Sequence, residues 1–130
     1  MPVDHVDLCV SSVERSLPFY RELLAPLGYN RVAEIEGERG ETVWYLVGEH
    51  DAVGLRESQT PDGVDRYRVG LHHLAFRAES RAAVDERARW LRELDAEIES
   101  GPEEYPYSPG YYAVFFADPD GIKLEIVHNP

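Results

Sequence analysis

Apolar and polar side chains alternate from residue 3 to residue 10, the period of a half-buried strand. Val6, Leu8 and Val10 fall on one face, and His5, Asp7 and Cys9 on the other. The period then changes to that of a helix. Ser16 is the predicted N-cap, Pro18 sits in the first turn, and Leu17, Tyr20, Leu24 and Leu27 form the apolar stripe that Gly28 ends. Three strands are predicted next, over residues 29–36, 41–47 and 52–57, with turns at Gly37 to Gly40 and at Gly48 to Asp51. Residues 58–70 show no apolar period and contain Pro61, Asp62 and Gly63, so they read as a linker.

The plan then repeats. Residues 71–77 read as a strand. Ser80 caps a helix running to Leu94, with Ala83, Arg87, Trp90, Leu91 and Leu94 on its inner stripe. A short strand is predicted at 97–99. A closing hairpin joins 111–116 to 122–127 through Asp118-Pro119-Asp120-Gly121, a strong turn sequence. Strand, helix and three strands in each half imply an α+β fold. Two βαβββ modules form a curved mixed sheet around a cavity, with helices on the outer face. The expected organisation is a single domain over 1–130, with modules at about 1–57 and 71–130.

The repeat carries chemistry. Each half opens on a histidine, His5-Val-Asp-Leu and His73-Leu-Ala-Phe, and the last strand holds Glu125 between Leu124 and Ile126. A carboxylate on an apolar strand is costly to bury unless it is paired or ligated. Two imidazoles and a carboxylate suit Mn(II), Fe(II), Ni(II), Co(II) or Zn(II). The alternative for either histidine alone is a hydrogen-bonded sheet residue. His72 is expected on the opposite face from His73, His50 in a solvated turn, and His128 out of phase with Glu125.

The formal net charge is −12. Such a chain repels nucleic-acid phosphates and anionic lipid, so neither is an expected partner. No apolar run is long enough to span a bilayer, and the N-terminus has no signal-peptide pattern. The only cysteine, Cys9, reads as a small buried filler. A cytoplasmic protein is the expectation.

In order and spacing, His5-Val-Asp-Leu, Ser16-Leu-Pro-Phe-Tyr-Arg-Glu-Leu-Leu, Leu27-Gly-Tyr, His73-Leu-Ala-Phe and Phe116-Ala-Asp-Pro-Asp-Gly before Leu124-Glu125 resemble the vicinal oxygen chelate superfamily. That group includes glyoxalase I, bleomycin resistance proteins, fosfomycin-modifying thiol transferases and extradiol dioxygenases. The resemblance implies that His5, His73 and Glu125 hold one divalent ion, whose open positions take two oxygens of a small substrate. It also implies a homodimer. Many members have a fourth ligand on the last strand of the first half. Here Gly54 falls at that point, with Glu57 nearby but out of register, which favours a three-ligand site.

Around that centre, Asp7 shares the face of His5. It reads as a general base, as a partner orienting a ligand, or as the ion-pair partner of Arg77. Lys123 shares the face of Glu125 and suits an anionic substrate group or a rim acid. Tyr111 and Phe115 share a strand face at the cavity mouth, after the proline-rich run 105–110, and Trp44 is a further pocket residue. Arg77 completes the substrate-binding set. An aromatic lining suits an aromatic or planar ligand. The leading reading is a metal-dependent enzyme of lyase or isomerase, thiol transferase or dioxygenase chemistry. The alternative is a drug- or metabolite-sequestering protein of the bleomycin-resistance type.

Overall fold

The computed structural model describes residues 2–130. The chain divides into two compact units, one ending at Asp62 and the other running from Gly63 to Pro130. The first unit holds β1 (His5–Val10), α1 (Val13–Leu24), a 3-10 turn (Ala25–Leu27), β2 (Arg31–Glu36), β3 (Thr42–Val47) and β4 (Ala52–Glu57). The second holds β5 (Leu74–Arg77), α2 (Arg81–Glu93), β6 (Ile98–Glu104), β7 (Tyr112–Ala117) and β8 (Lys123–His128). Each unit carries its own four-stranded sheet, ordered β1-β4-β3-β2 and β5-β8-β7-β6. The opening strand pairs in parallel with the closing one, and the remaining pairs are antiparallel. This is the α+β plan of two βαβββ modules.

Each helix covers one face of its own sheet. In α1, Phe19, Tyr20, Leu23 and Leu24 are buried, and in α2 Val84, Ala88 and Leu91 are buried. Valine, leucine and phenylalanine side chains contribute about 1.5–3 kcal/mol each when fully buried. The first helix begins one turn before the expected Ser16. Ser12 is the N-cap, accepting from the backbone N–H of Arg15 at 3.2 Å, and the Glu57 carboxylate accepts from Val13 N–H at 3.3 Å. Ser16 is buried inside the helix, and Pro18 lies in its second turn. Ser80 caps α2 as expected, accepting from Ala83 N–H at 3.1 Å. Of the expected α2 stripe, Arg87 and Leu91 are buried, while Val84 is buried in place of Ala83 and Leu94 is half exposed.

Two further expectations are corrected. The strand predicted at 97–99 runs to Glu104, with register shifts against β7 around Ser100 and Gly101. Gly101 has φ +84°, and a Cβ there would collide with the Ala113 carbonyl, so only glycine lets β6 approach β7 at this point. Cys9 is exposed, because the face it shares with His5 and Asp7 is the one α1 leaves uncovered. Residues 58–70 contain no regular element, as expected of a linker, and Arg66 from this stretch forms a two-pronged ion pair with Glu99 of β6, at 2.8 and 2.7 Å. Among the described residues no helix is long and apolar enough to cross a membrane.

Candidate metal centre

Strand register fixes which residues share the open face of the second unit. Ala75, Glu125, Phe115 and Ser100 form one row across β5, β8, β7 and β6. Glu125 is 2 % exposed. Its Oε1 lies 3.2 Å from His73 Nε2, and its Oε2 accepts a short hydrogen bond from the Tyr111 hydroxyl. No lysine or arginine among the described residues pairs with it. Burial, and then the hydrogen bond to Glu125, push the Tyr111 phenol well above its ordinary range, so it stays a donor.

His73 stands just before β5, in chain without strand geometry. Strand alternation therefore does not apply to residues 71–73, and His72 does not turn away as expected. Its Nδ1 lies 2.8 Å from His73 Nδ1, and both rings line one cavity. If His73 Nδ1 donates in that contact, its Nε2 carries the lone pair. Two acceptors, Nε2 and Oε1, would then face each other at 3.2 Å, an arrangement that needs a proton or a cation between them.

The cavity, about 520 Å³, is lined on its apolar side by Tyr105, Tyr107, Tyr111 and Phe115. Tyr105 and Tyr107 stack at 5.5 Å, while Tyr105 meets Phe115 and Tyr107 meets Tyr111 edge to face. Ser100 holds the Tyr105 hydroxyl. Lys123 Nζ lies 4.9 Å from the Phe115 ring centre. Arg77 is on the same sheet face but is not among the lining residues; its guanidinium donates to the Asn129 carbonyl at 3.0 Å. His128 Nδ1 contacts the Ala78 carbonyl at 3.2 Å, and His50 is solvated beside Glu49.

The first unit repeats the same rows with different chemistry. Asp7, Gly54, Tyr45 and Ala33 occupy the row equivalent to Ala75, Glu125, Phe115 and Ser100. Gly54 is thus the counterpart of Glu125. A Cβ at Gly54 would run into the Asp7 carboxylate and the Tyr45 ring, so the space a ligand there would need is filled. The Asp7 carboxylate accepts from Arg56 at 2.7 Å and from the Tyr45 hydroxyl at 3.0 Å, and Arg56 also reaches Glu41 at 3.2 Å. Within the first unit the ion-pair partner of Asp7 is therefore Arg56, from the adjoining strand. His5 packs edge to face on Tyr45 at 5.6 Å, with its Nδ1 2.8 Å from Asp4.

Trp44 lies on the other side of the first sheet. It shares the face of Leu46, which lines a separate cavity of about 430 Å³ with Leu17, Pro18 and Arg21 of α1. Tyr45 holds the open-face position that the sequence reading gave to Trp44.

Of the expected ligands, His73 and Glu125 are brought together, while His5 belongs to the first unit. Among the described residues no three His, Cys, Asp or Glu form one metal-sized cluster. Sequence reasoning missed the pairing of Tyr111 with Glu125, fourteen positions apart. The hairpin through Asp118–Gly121 was its available signal, since strands joined there bring β8 beside the residues leading into β7.

Residues 3–126 match the family model of the Glyoxalase/Bleomycin resistance protein/Dioxygenase superfamily. The chain belongs to this superfamily. A Bacillus subtilis (strain 168) relative, the uncharacterized protein YqjT, is 35 % identical over 95 % of each chain. The metallothiol transferase FosB of Staphylococcus saprophyticus is 27 % identical over 95 % of this chain and 74 % of its own. A solved glyoxylase/bleomycin resistance protein/dioxygenase domain from Frankia sp. EAN1pec superposes with a TM-score of 0.81 at 26 % identity, covering 100 % of this chain and 93 % of that one. The superfamily's βαβββ modules are those described above; its chemistry varies between members, so activity must be argued from the site.

Proposed function

We propose that the protein is a metal-dependent enzyme of the vicinal oxygen chelate type, acting on a small molecule, with His5, His73 and Glu125 as the metal ligands. The observation that carries this reading is His73 Nε2 standing 3.2 Å from Oε1 of a carboxylate that is 2 % exposed and has no lysine or arginine partner. A buried carboxylate in that setting is costly unless a cation or proton bridges it to the imidazole. A bound divalent ion supplies Lewis acidity for negative charge developing on substrate oxygens.

The chain's own groups have separate tasks in this reading. Tyr111 donates to Oε2 of Glu125 and so orients the carboxylate that, with His73, would hold the ion. His72 fixes the tautomer of His73 through the Nδ1 contact. The aromatic wall gives one side of the cavity an apolar surface for substrate. Isomerisation or lysis, thiol transfer and ring-opening oxygenation are all compatible with such a centre. A cytoplasmic homodimer completes the reading, supported by the common assembly of such domains about a two-fold axis.

The test is metal content per chain on protein purified without chelator or affinity tag, alongside Glu125→Ala and His73→Ala variants whose circular dichroism matches the parent. About one ion per chain, lost in both variants, is the expected result. No bound ion and no uptake of Mn(II), Fe(II), Ni(II), Co(II) or Zn(II) would sink the proposal and leave the cavity as a sequestering pocket.

A further inference from the structure

The polar groups lining the second unit's cavity are not all engaged. Glu99 is neutralised by the two-pronged contact with Arg66, and both oxygens of Glu125 are engaged by Tyr111 and His73. Lys123 is the one lysine or arginine among the lining residues. No carboxylate among the described residues pairs with it, and its nitrogen instead lies over the face of Phe115. A ring face satisfies part of an ammonium's electrostatics but accepts no strong hydrogen bond, so the three N–H donors of Lys123 remain available to a ligand. The ammonium is also held in place, because Phe115 is buried and braced edge-on by Tyr105. In a chain of net charge −12, an ammonium with free donors at a cavity wall is a point at which an anionic group can be held.

We propose that the cavity selects a small oxyanion with an aromatic or planar body. The anionic group sits on Lys123 Nζ, and the body lies along the wall made by Tyr105, Tyr107 and Phe115. Lys123 is then the residue that determines specificity for charge. The inference rests on the reading above only in placing the substrate in this cavity; the contact with Lys123 itself needs no metal ion.

The test is a nuclear magnetic resonance titration of the full chain with benzoate and with its neutral analogue benzamide, before and after treatment with chelator. It compares the parent with Lys123→Met, Lys123→Gln and Lys123→Arg, each first checked for a dispersed native spectrum. Two neutral variants keep the test decisive if one of them fails to fold.

The expected result is that the parent binds benzoate at least about tenfold tighter than benzamide, as one charge-assisted contact predicts. That preference should survive chelation, vanish in the neutral variants and persist in Lys123→Arg. Equal binding of the two probes, no binding of either, or a preference that survives in Lys123→Met or Lys123→Gln would overturn it. A preference abolished by chelator but indifferent to Lys123 would assign anion selection to the metal ion and overturn it too. Absence of metal from the protein defeats the proposed enzyme while leaving this titration readable.

Discussion

Glu125 shows how much one residue's meaning depends on its neighbours. Its position between two apolar residues marks it as unusual in the sequence, and so does its place after a strong turn. What the sequence could not show is that its two oxygens have different partners, His73 on one side and Tyr111 on the other. Tyr111→Phe removes the donor that orients the carboxylate while keeping the ring that packs on Tyr107. Outer contacts of this kind are typically worth about 10- to 100-fold in metal affinity. The expected outcome is weaker binding by that factor, with folding unchanged, measured by calorimetric titration of chelator-treated protein with Mn(II) or Zn(II). His73 and Glu125 were legible because each sits at a repeated or anomalous point in the pattern. Tyr45 was not, since Trp44 and Tyr45 are adjacent aromatics on a strand whose two faces both carry apolar side chains, and composition cannot choose between them.

At the scale of elements, the cavity depends on β6, the strand whose length the sequence reading underestimated. Gly101 and Pro102 look like a strand terminator; the chain instead passes through them with a register shift, and the strand continues to Glu104. The same strand carries Glu99, which ties the linker down through Arg66. Hydrogen bonds from Arg66 hold the Glu99 carboxyl below its ordinary range. A carboxylate with a lowered folded pKa contributes stability above its unfolded pKa, and that contribution fades as pH falls through the folded value. Replacing Glu99 by Gln should therefore cost about 1 kcal/mol near pH 7 and progressively less toward pH 3, converging on the parent. Urea denaturation at a series of pH values measures this directly, and a constant gap between the two proteins would refute it. The element order was readable from the alternation of periods. The start of α1 was not: Ser16 was the expected cap, whereas Ser12 makes the capping hydrogen bond to Arg15 and Ser16 is buried inside the helix.

For the whole molecule, the repeated plan was legible because each half restarts on the same histidine-led strand, and the structure gives each half the same strand order. The net charge of −12 belongs to this scale as well. The individual ion pairs act over less than a Debye length, whereas like charges repel across the surface. Raising ionic strength from about 0.02 M to about 0.3 M should therefore raise the melting temperature by a few degrees, as read by scanning calorimetry; a fall would mean that local pairs such as Arg56 with Asp7 dominate.

Gly54 has a consequence for how such a molecule can change. The two halves share one plan and differ at this position: the second half has an acid there, and the first half has a glycine over which Asp7 and Tyr45 close. A lineage trying to regain symmetry could not do so by a single step at Gly54. The incoming carboxylate would have to evict Asp7 from its place beside Arg56, leaving that guanidinium to Glu41 and, at 3.9 Å, Glu38. An acid at Gly54 therefore needs a second change, at Asp7 or Tyr45, before it has room.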